Sequence, residues 1–93
     1  MRIRWTEKAS RNLDRIEAYI SQDSPAAALR TILAIIEEIE QLRYYPALGK
    51  PGRIEGTREL VISDKPYIVP YRVKENTIEI LRIFHTSRKF EGD

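Results

Sequence analysis

The chain has 93 residues, of which 42% are hydrophobic and 32% are charged, and its formal net charge is +2. This length allows one domain with a single modest core, and the composition excludes a disordered chain. No apolar run reaches the roughly 20 residues that span a bilayer, and without cysteine and with one histidine neither a disulfide framework nor a Cys/His metal site is expected.

The chain opens with a predicted strand followed by a helix. Apolar and basic residues alternate over Arg2–Trp5, which favours a short strand with one buried face. Thr6 suits the N-cap of a helix that begins at Glu7 and ends near Ser21. Its apolar residues recur at helical spacing, at Ala9, Leu13, Ile16 and Ile20.

A second helix is predicted from Ser24 and Pro25, which are a cap and a first helical residue. Its apolar stripe consists of Ala28, Ile32, Ile35, Ile39 and Leu42, and is widened by Leu29 and Ile36. The short connector predicts an antiparallel helical hairpin. Such a hairpin returns the chain to the end of the first strand, so we expect the next strand to run antiparallel to the first.

The rest of the chain reads as a loop followed by three strands. Residues 45–56 are rich in proline and glycine and have no periodicity, whereas residues 57–62, 67–73 and 77–84 are rich in β-branched and aromatic residues. Turn compositions separate these runs, which predicts an antiparallel meander. Pro70 removes a hydrogen-bond donor, so its strand is expected to lie at an edge or to bend there.

Together these elements predict one α+β domain over residues 1–93. Its architecture is β-α-α-β-β-β, with two helices on one face of a small antiparallel sheet. The N-terminus lacks the apolar core of a signal peptide, so we expect a cytoplasmic protein with no membrane contact.

Arginine interrupts each of the three later strands, at Arg58, Arg72 and Arg82, and the only histidine, His85, follows the last of them. Because neighbouring strands lie about 5 Å apart, we expect these groups to converge on one sheet face or its rim. A weak excess of positive charge in this half of the chain indicates a polyanionic or acidic partner. Further basic candidates for that contact are Lys50, Arg53, Arg88 and Lys89.

A purely structural role is the simpler alternative for the same charges. Arg58 and Arg82 then pair with Glu59, Glu79 or Glu55, and His85 only ends the last strand with a backbone hydrogen bond. Alternation places Leu60 and Ile62 on the face of Arg58, and Ile78, Ile80 and Phe84 on the face of Arg82. An open face with so much apolar surface needs a cover. Tyr67 and Tyr71 are expected to pack under the helices.

The order of elements and four segments resemble the RelE/ParE superfamily of bacterial type II toxin-antitoxin toxins over nearly the whole chain. The resemblance implies a small antitoxin partner, encoded beside the toxin, that wraps over the helices and sheet and alone contacts operator DNA. It implies no cofactor and no metal. The segments are Gly56-Thr57-Arg58-Glu59-Leu60, Pro66-Tyr67-Ile68-Val69, Tyr71-Arg72-Val73 and Ile80-Leu81-Arg82-Ile83-Phe84-His85.

The superfamily contains two activities, and the resemblance implies either one. ParE-type members poison DNA gyrase, which requires a binding surface and no active site. RelE-type members cleave mRNA on the ribosome, for which Arg58 and Arg82 stand at the arginine positions of that branch and His85 is suited to shuttle protons. The chain lacks that branch's lysine cluster, and Phe90 replaces its C-terminal tyrosine.

We therefore favour a ParE-like toxin that is directed at gyrase. On that interpretation the chain is no enzyme, whereas on the RelE-like interpretation it is one. The first alternative is a ribosome-dependent mRNA endoribonuclease that uses Arg58, Arg82 and His85. A further alternative is a non-toxic binding module derived from such a toxin.

Overall fold

The computed structural model describes residues 1–87, so Arg88, Lys89 and Phe90 lie outside the described residues. A short 3-10 turn, Gln41–Arg43, extends the second helix. The order of elements confirms the predicted α+β architecture and adds one strand of two residues, β2, and the chain's last described strand, β6, also has two residues. The elements are β1 (Arg2–Trp5), α1 (Glu7–Ser21), α2 (Pro25–Glu40), β2 (Lys50–Pro51), β3 (Arg58–Val61), β4 (Tyr67–Lys74), β5 (Thr77–Ile80) and β6 (Phe84–His85).

Both helices begin where the sequence predicts. The Ala9 N–H donates to Thr6 Oγ1 at 3.2 Å, and the Ala27 N–H donates to Ser24 Oγ at 3.1 Å. Each cap satisfies one of the backbone donors that have no partner in the first helical turn. Pro25 occupies the start of α2, where its missing N–H costs nothing.

The sheet is mixed, with the strand order β1-β5-β4-β3-β2 and β6 beside β4. The antiparallel pairs β3–β4 and β4–β5 confirm the meander. β1, however, pairs with β5 and is parallel to it. The expectation that the strand predicted at 57–62 runs antiparallel to β1 is therefore wrong. Strand β2, which the sequence pattern does not predict, runs antiparallel to β1. The chain then reverses direction again before β3.

Pro70 lies in the central strand β4, opposite an irregularity in its neighbour. Tyr71 pairs with Ile80 and Ile68 pairs with Phe84, so residues 81–83 face only two residues of β4. One extra residue between paired strands is a β-bulge. The Leu81 N–H donates to the Pro70 carbonyl oxygen at 2.9 Å, and the predicted strand 77–84 is thereby divided into β5 and β6.

The helices cover one face of the sheet, and Tyr67 and Tyr71 pack beneath them as predicted. The bulge reverses the alternation of side chains between the two sheet faces, so Ile83 joins the core and Phe84 points to the other face. The expectation that Phe84 shares a face with Ile78 is therefore wrong. Among residues 1–87, no helix is long and apolar enough to cross a membrane. The core residues are Ala9, Ile35, Ile39, Leu42, Leu60, Ile62, Tyr67, Val69, Tyr71, Ile78, Ile80 and Ile83.

Candidate functional site

The face of the sheet turned away from the helices, hereafter the open face, is rich in basic side chains. Strand register places Arg4, Glu79 and Arg72 in one row across β1, β5 and β4, and Lys50 opposite Glu59. Basic residues outnumber acidic ones here, so this face has a net positive charge. The basic residues are Arg2, Arg4, Lys50, Arg53, Arg72, Lys74 and Arg82, and the acidic ones are Glu59 and Glu79.

Glu79 bridges two arginines in the row across the open face. Arg4 Nη2 donates to Glu79 Oε2, and Arg72 Nε donates to Glu79 Oε1 at 2.5 Å. Glu79 is buried, whereas the side chains of Arg4 and Arg72 are 56% and 47% exposed. The hydrogen bonds from Arg4 and then Arg72 lower the pKa of Glu79 to about 2. The carboxylate thus fixes two guanidinium groups that remain accessible to a partner.

The Glu79 bridge predicts a specific loss of stability in acid. A carboxyl group whose folded pKa is about 2, against an ordinary 4.5, stabilises the fold above the ordinary pKa and loses that contribution as the pH falls towards 2. We expect the free energy of unfolding to fall across this window, and to fall less in Glu79→Gln. Urea unfolding at several pH values from 7 to 2 measures this, with Glu75→Gln in the exposed β4–β5 turn as the matched control. Parallel pH profiles for wild type and Glu79→Gln would contradict the prediction.

A second cluster on the open face surrounds Phe84. The backbone N–H and Nε of Arg53 donate to Glu59 Oε2 at 3.0 and 3.1 Å. Burial raises the pKa of Glu59, but the hydrogen bonds from Arg53 outweigh it and lower the pKa overall. The Cζ atoms of Arg53 and Arg82 lie 5.4 and 5.5 Å from the centre of the Phe84 ring, within cation–π range. Phe84 and Glu59 therefore position two more guanidinium groups.

Two of the three predicted catalytic residues lie on the helix-covered face instead. Arg58 pairs in register with the buried Tyr71, and its Nη1 donates to the Gly49 carbonyl oxygen at 2.7 Å. His85 pairs in register with Tyr67, and their rings lie edge to face with their centres 5.4 Å apart. The expected convergence of Arg58, Arg82 and His85 is therefore wrong, because strand register turns two of them towards the helices while Arg82 lies beside Phe84.

His85 also lines a cavity of about 550 Å³ between α1 and the end of the sheet, together with Asn12, Arg15 and Tyr19. Its Nδ1 accepts a hydrogen bond from the Ser87 N–H at 3.1 Å. This local bond matches the structural alternative for the histidine. The structural alternative pairs Arg58 and Arg82 with the strand carboxylates. In the structure, Glu59 pairs with Arg53, and Glu79 pairs with Arg4 and Arg72.

The structure does bring together Lys50, Arg53 and Arg72 on the open face, three residues that the sequence predicts as target contacts. Sequence reasoning missed Arg4 and Phe84. Arg4 was detectable, because it alternates with Ile3 and Trp5, which pack against the core. Phe84 was not, because its orientation depends on the bulge.

A buried tyrosine anchors the loop that leads into β2. The Tyr71 hydroxyl donates to the Pro46 carbonyl oxygen and accepts from the Gly49 N–H, both at 2.8 Å. Burial raises the pKa of Tyr71, which favours the protonated hydroxyl that donates to Pro46. With the bond from Arg58 to Gly49, the anchor sets where Lys50 enters the sheet. Arg58 thus contacts the loop that leads into β2, on the helix-covered side of the sheet.

Residues 3–90 match the family described as the ParE toxin of the type II toxin-antitoxin system parDE. The chain therefore belongs to the ParE toxin family, and the resemblance seen in the sequence is confirmed.

Individual relatives agree with this family. The chain is 49% identical to the Sinorhizobium fredii protein Y4kP over 96% of this chain and 92% of the relative. It is 37% identical to the Caulobacter vibrioides toxin RelE2 over 90% and 93% of the two chains.

Solved structures of toxin-antitoxin systems share the fold. A chain of the chromosomal ParDE system from P. aeruginosa superimposes with a TM-score of 0.84 at 33% identity, over 94% of this chain and 97% of the other. The RelBE2 toxin-antitoxin complex from Mycobacterium tuberculosis gives a TM-score of 0.54 at 26% identity, over 90% and 95%.

Proposed function

We propose that this toxin arrests growth by binding its target through the open face, without catalysing a reaction, and that the target is DNA gyrase in the cytoplasm. The observation that supports a binding mode is the separation of Arg58 and His85 from Arg82 by the sheet itself. Membership of the ParE family favours gyrase. The clustered guanidinium groups suit an acidic or polyanionic surface, because arginine forms bidentate contacts with carboxylates and phosphates.

Cleavage of RNA at this face is disfavoured by the side chains that the face offers. Attack by an RNA 2′-hydroxyl needs a base beside it, cations at the phosphate and a proton donor for the leaving oxygen, all within hydrogen-bond reach. The two carboxylates, Glu59 and Glu79, already accept hydrogen bonds from arginines and have lowered pKa values, which makes them weak bases. The guanidinium group of Arg58 is bonded to the Gly49 carbonyl oxygen on the far side.

A cognate antitoxin is the second partner that we propose, since the solved relatives come from toxin-antitoxin systems. Its segment would place acidic side chains over Arg4 and Arg72 and apolar ones over Val61, which is 50% exposed and pairs in register with Ile68. A stable contact of this kind buries more than about 1,000 Å² in total. Operator DNA is reached only through the antitoxin. If the product of the adjacent gene gives no complex on size exclusion, the antitoxin proposal fails.

Growth arrest after induction of the toxin alone tests the proposed mode of action. Single substitutions on a binding surface weaken function in steps, whereas an active site fails at the first loss. We expect His85→Ala to arrest growth as wild type does, Arg72→Gln to weaken arrest severalfold, and Arg72→Gln with Lys50→Gln to abolish it. Arg11→Gln, on exposed α1, is the matched control. Supercoiling by purified gyrase should be inhibited in the same order.

The endoribonuclease alternative predicts the opposite pattern, and it is worth testing because one relative is named RelE2 and one solved neighbour is a RelBE2 complex. If His85→Ala or Arg82→Ala removes all toxicity while the fold survives, and wild type cuts mRNA on ribosomes, the gyrase proposal is overturned. If induction leaves growth unchanged, the chain is instead a non-toxic binding module.

A further inference from the structure

Helix α2 has a second apolar stripe, about a third of a turn from its core-facing stripe. Leu29 and Leu33 are 56% and 54% exposed, and Ile36 is partly exposed. These positions follow the spacing i, i+4, i+7, which places them on one side of the helix over about 10 Å. Leucine is not needed at these positions for the hydrophobic core, because Ile35 and Ile39 fill it from the core-facing stripe.

Two opposite charges border this stripe on either side of Leu33, one three residues before it and the other four residues after it. Arg30 and Glu37 are seven residues apart, so they lie on the same side of α2, two turns apart. Both are exposed, and within residues 1–87 neither forms an ion pair. Other acidic residues of α2 do have partners, since Glu38 accepts from Ser63 and Glu40 from Arg43.

We propose that α2 pairs antiparallel with α2 of a second copy of this chain, about a two-fold axis between Leu33 and Ala34. In such a pair, residues equidistant from the axis on opposite sides come together. Arg30 of each copy then meets Glu37 of the other, and two ion pairs form on one side of the contact. Leu33 lies beside the axis and packs against Leu33 of the other copy. Leu29 is offset by about 3 Å along the helix from Ile36 of the other copy, which is close enough for their side chains to pack.

The charge pattern specifies a second copy in this one orientation. A parallel pair would place Arg30 beside Arg30 and Glu37 beside Glu37, which like-charge repulsion disfavours. Because α2 lies on the helix-covered side of the sheet, the dimer leaves both open faces uncovered and directed outwards. The stripe is short, so the dimer belongs to the small, weak class of interfaces and should dissociate on dilution.

Sedimentation velocity of the isolated toxin over a range of concentrations tests the dimer. We expect wild type to associate reversibly, and Arg30→Glu or Glu37→Arg alone to weaken association by about tenfold or more, because each reversal opposes two pairs of like charges. An equimolar mixture of the two single variants should associate like wild type, since both pairs are again opposite in charge. The double variant Arg30→Glu/Glu37→Arg should also associate, and Glu17→Arg on exposed α1 should change nothing.

Three results would overturn the dimer. The wild type could be monomeric at every concentration, or the single charge reversals could leave its association unchanged. The mixture of the two single variants could also stay monomeric. If wild type is monomeric and Leu33→Arg instead loses the complex with the antitoxin, the stripe belongs to the antitoxin. Circular dichroism of each variant separates loss of association from loss of fold.

Discussion

Replacing Gly49 with alanine is expected to lower the free energy of unfolding by about 2–4 kcal/mol, from overpacking together with the loss of hydrogen bonds. A Cβ atom at this position would lie 2.7 Å from a Tyr71 ring carbon and 2.9 Å from the Glu59 carbonyl oxygen. Tyr71 lies in the fully buried core, so it cannot move away easily. The clash therefore breaks the anchor that holds the loop before β2.

Denaturant unfolding of three variants separates the clash from the hydrogen bonds. Tyr71→Phe removes the hydroxyl without a clash and leaves the Gly49 N–H and Pro46 carbonyl without their partner, at a cost of about 1–3 kcal/mol. Gly56→Ala is the control for a glycine with open space around it, where only the positive φ of 84° is strained. Gly49→Ala and Tyr71→Phe should be less than additive, because both break one anchor. A Gly49→Ala protein as stable as wild type would refute the anchor.

The features that sequence predicts correctly are those decided within a few residues. Thr6 and Ser24 start the two helices because each cap bonds to an N–H three residues ahead. The meander follows from its turn compositions in the same way. These contacts are local, so no knowledge of the rest of the fold is needed to place them.

The features that sequence does not predict depend on partners far along the chain. The parallel pair β1–β5 joins residues about 75 positions apart, and nothing in Arg2–Trp5 specifies that neighbour. The bulge opposite Pro70 reverses the alternation of the last strand and turns Phe84 to the open face. The candidate site changes with it, because the simple alternation would keep Phe84 with Ile78 and Ile80 and would not place it between Arg53 and Arg82.

Phe84→Ala is expected to lower the free energy of unfolding by about 3 kcal/mol, as is usual for removing a buried phenylalanine, and to weaken growth arrest. Phe84 is only 8% exposed, although its side chain faces away from the helices. Without the ring, Arg53 and Arg82 lose the surface on which their guanidinium groups lie. The basic groups of the open face would then keep their charge and lose their fixed positions.

Phe84→Leu is the variant that assigns this effect to the ring itself. Leucine keeps most of the buried apolar volume, so stability should fall by less than about 1.5 kcal/mol, while the cation–π contacts of Arg53 and Arg82 with the ring are lost. Thermal unfolding and growth arrest of both variants are compared with those of Tyr44→Leu, the same kind of change at a 77% exposed position in the turn that follows α2. If Phe84→Leu binds gyrase and arrests growth as wild type does, the ring serves packing alone and the two arginines are positioned by Glu59 and the backbone.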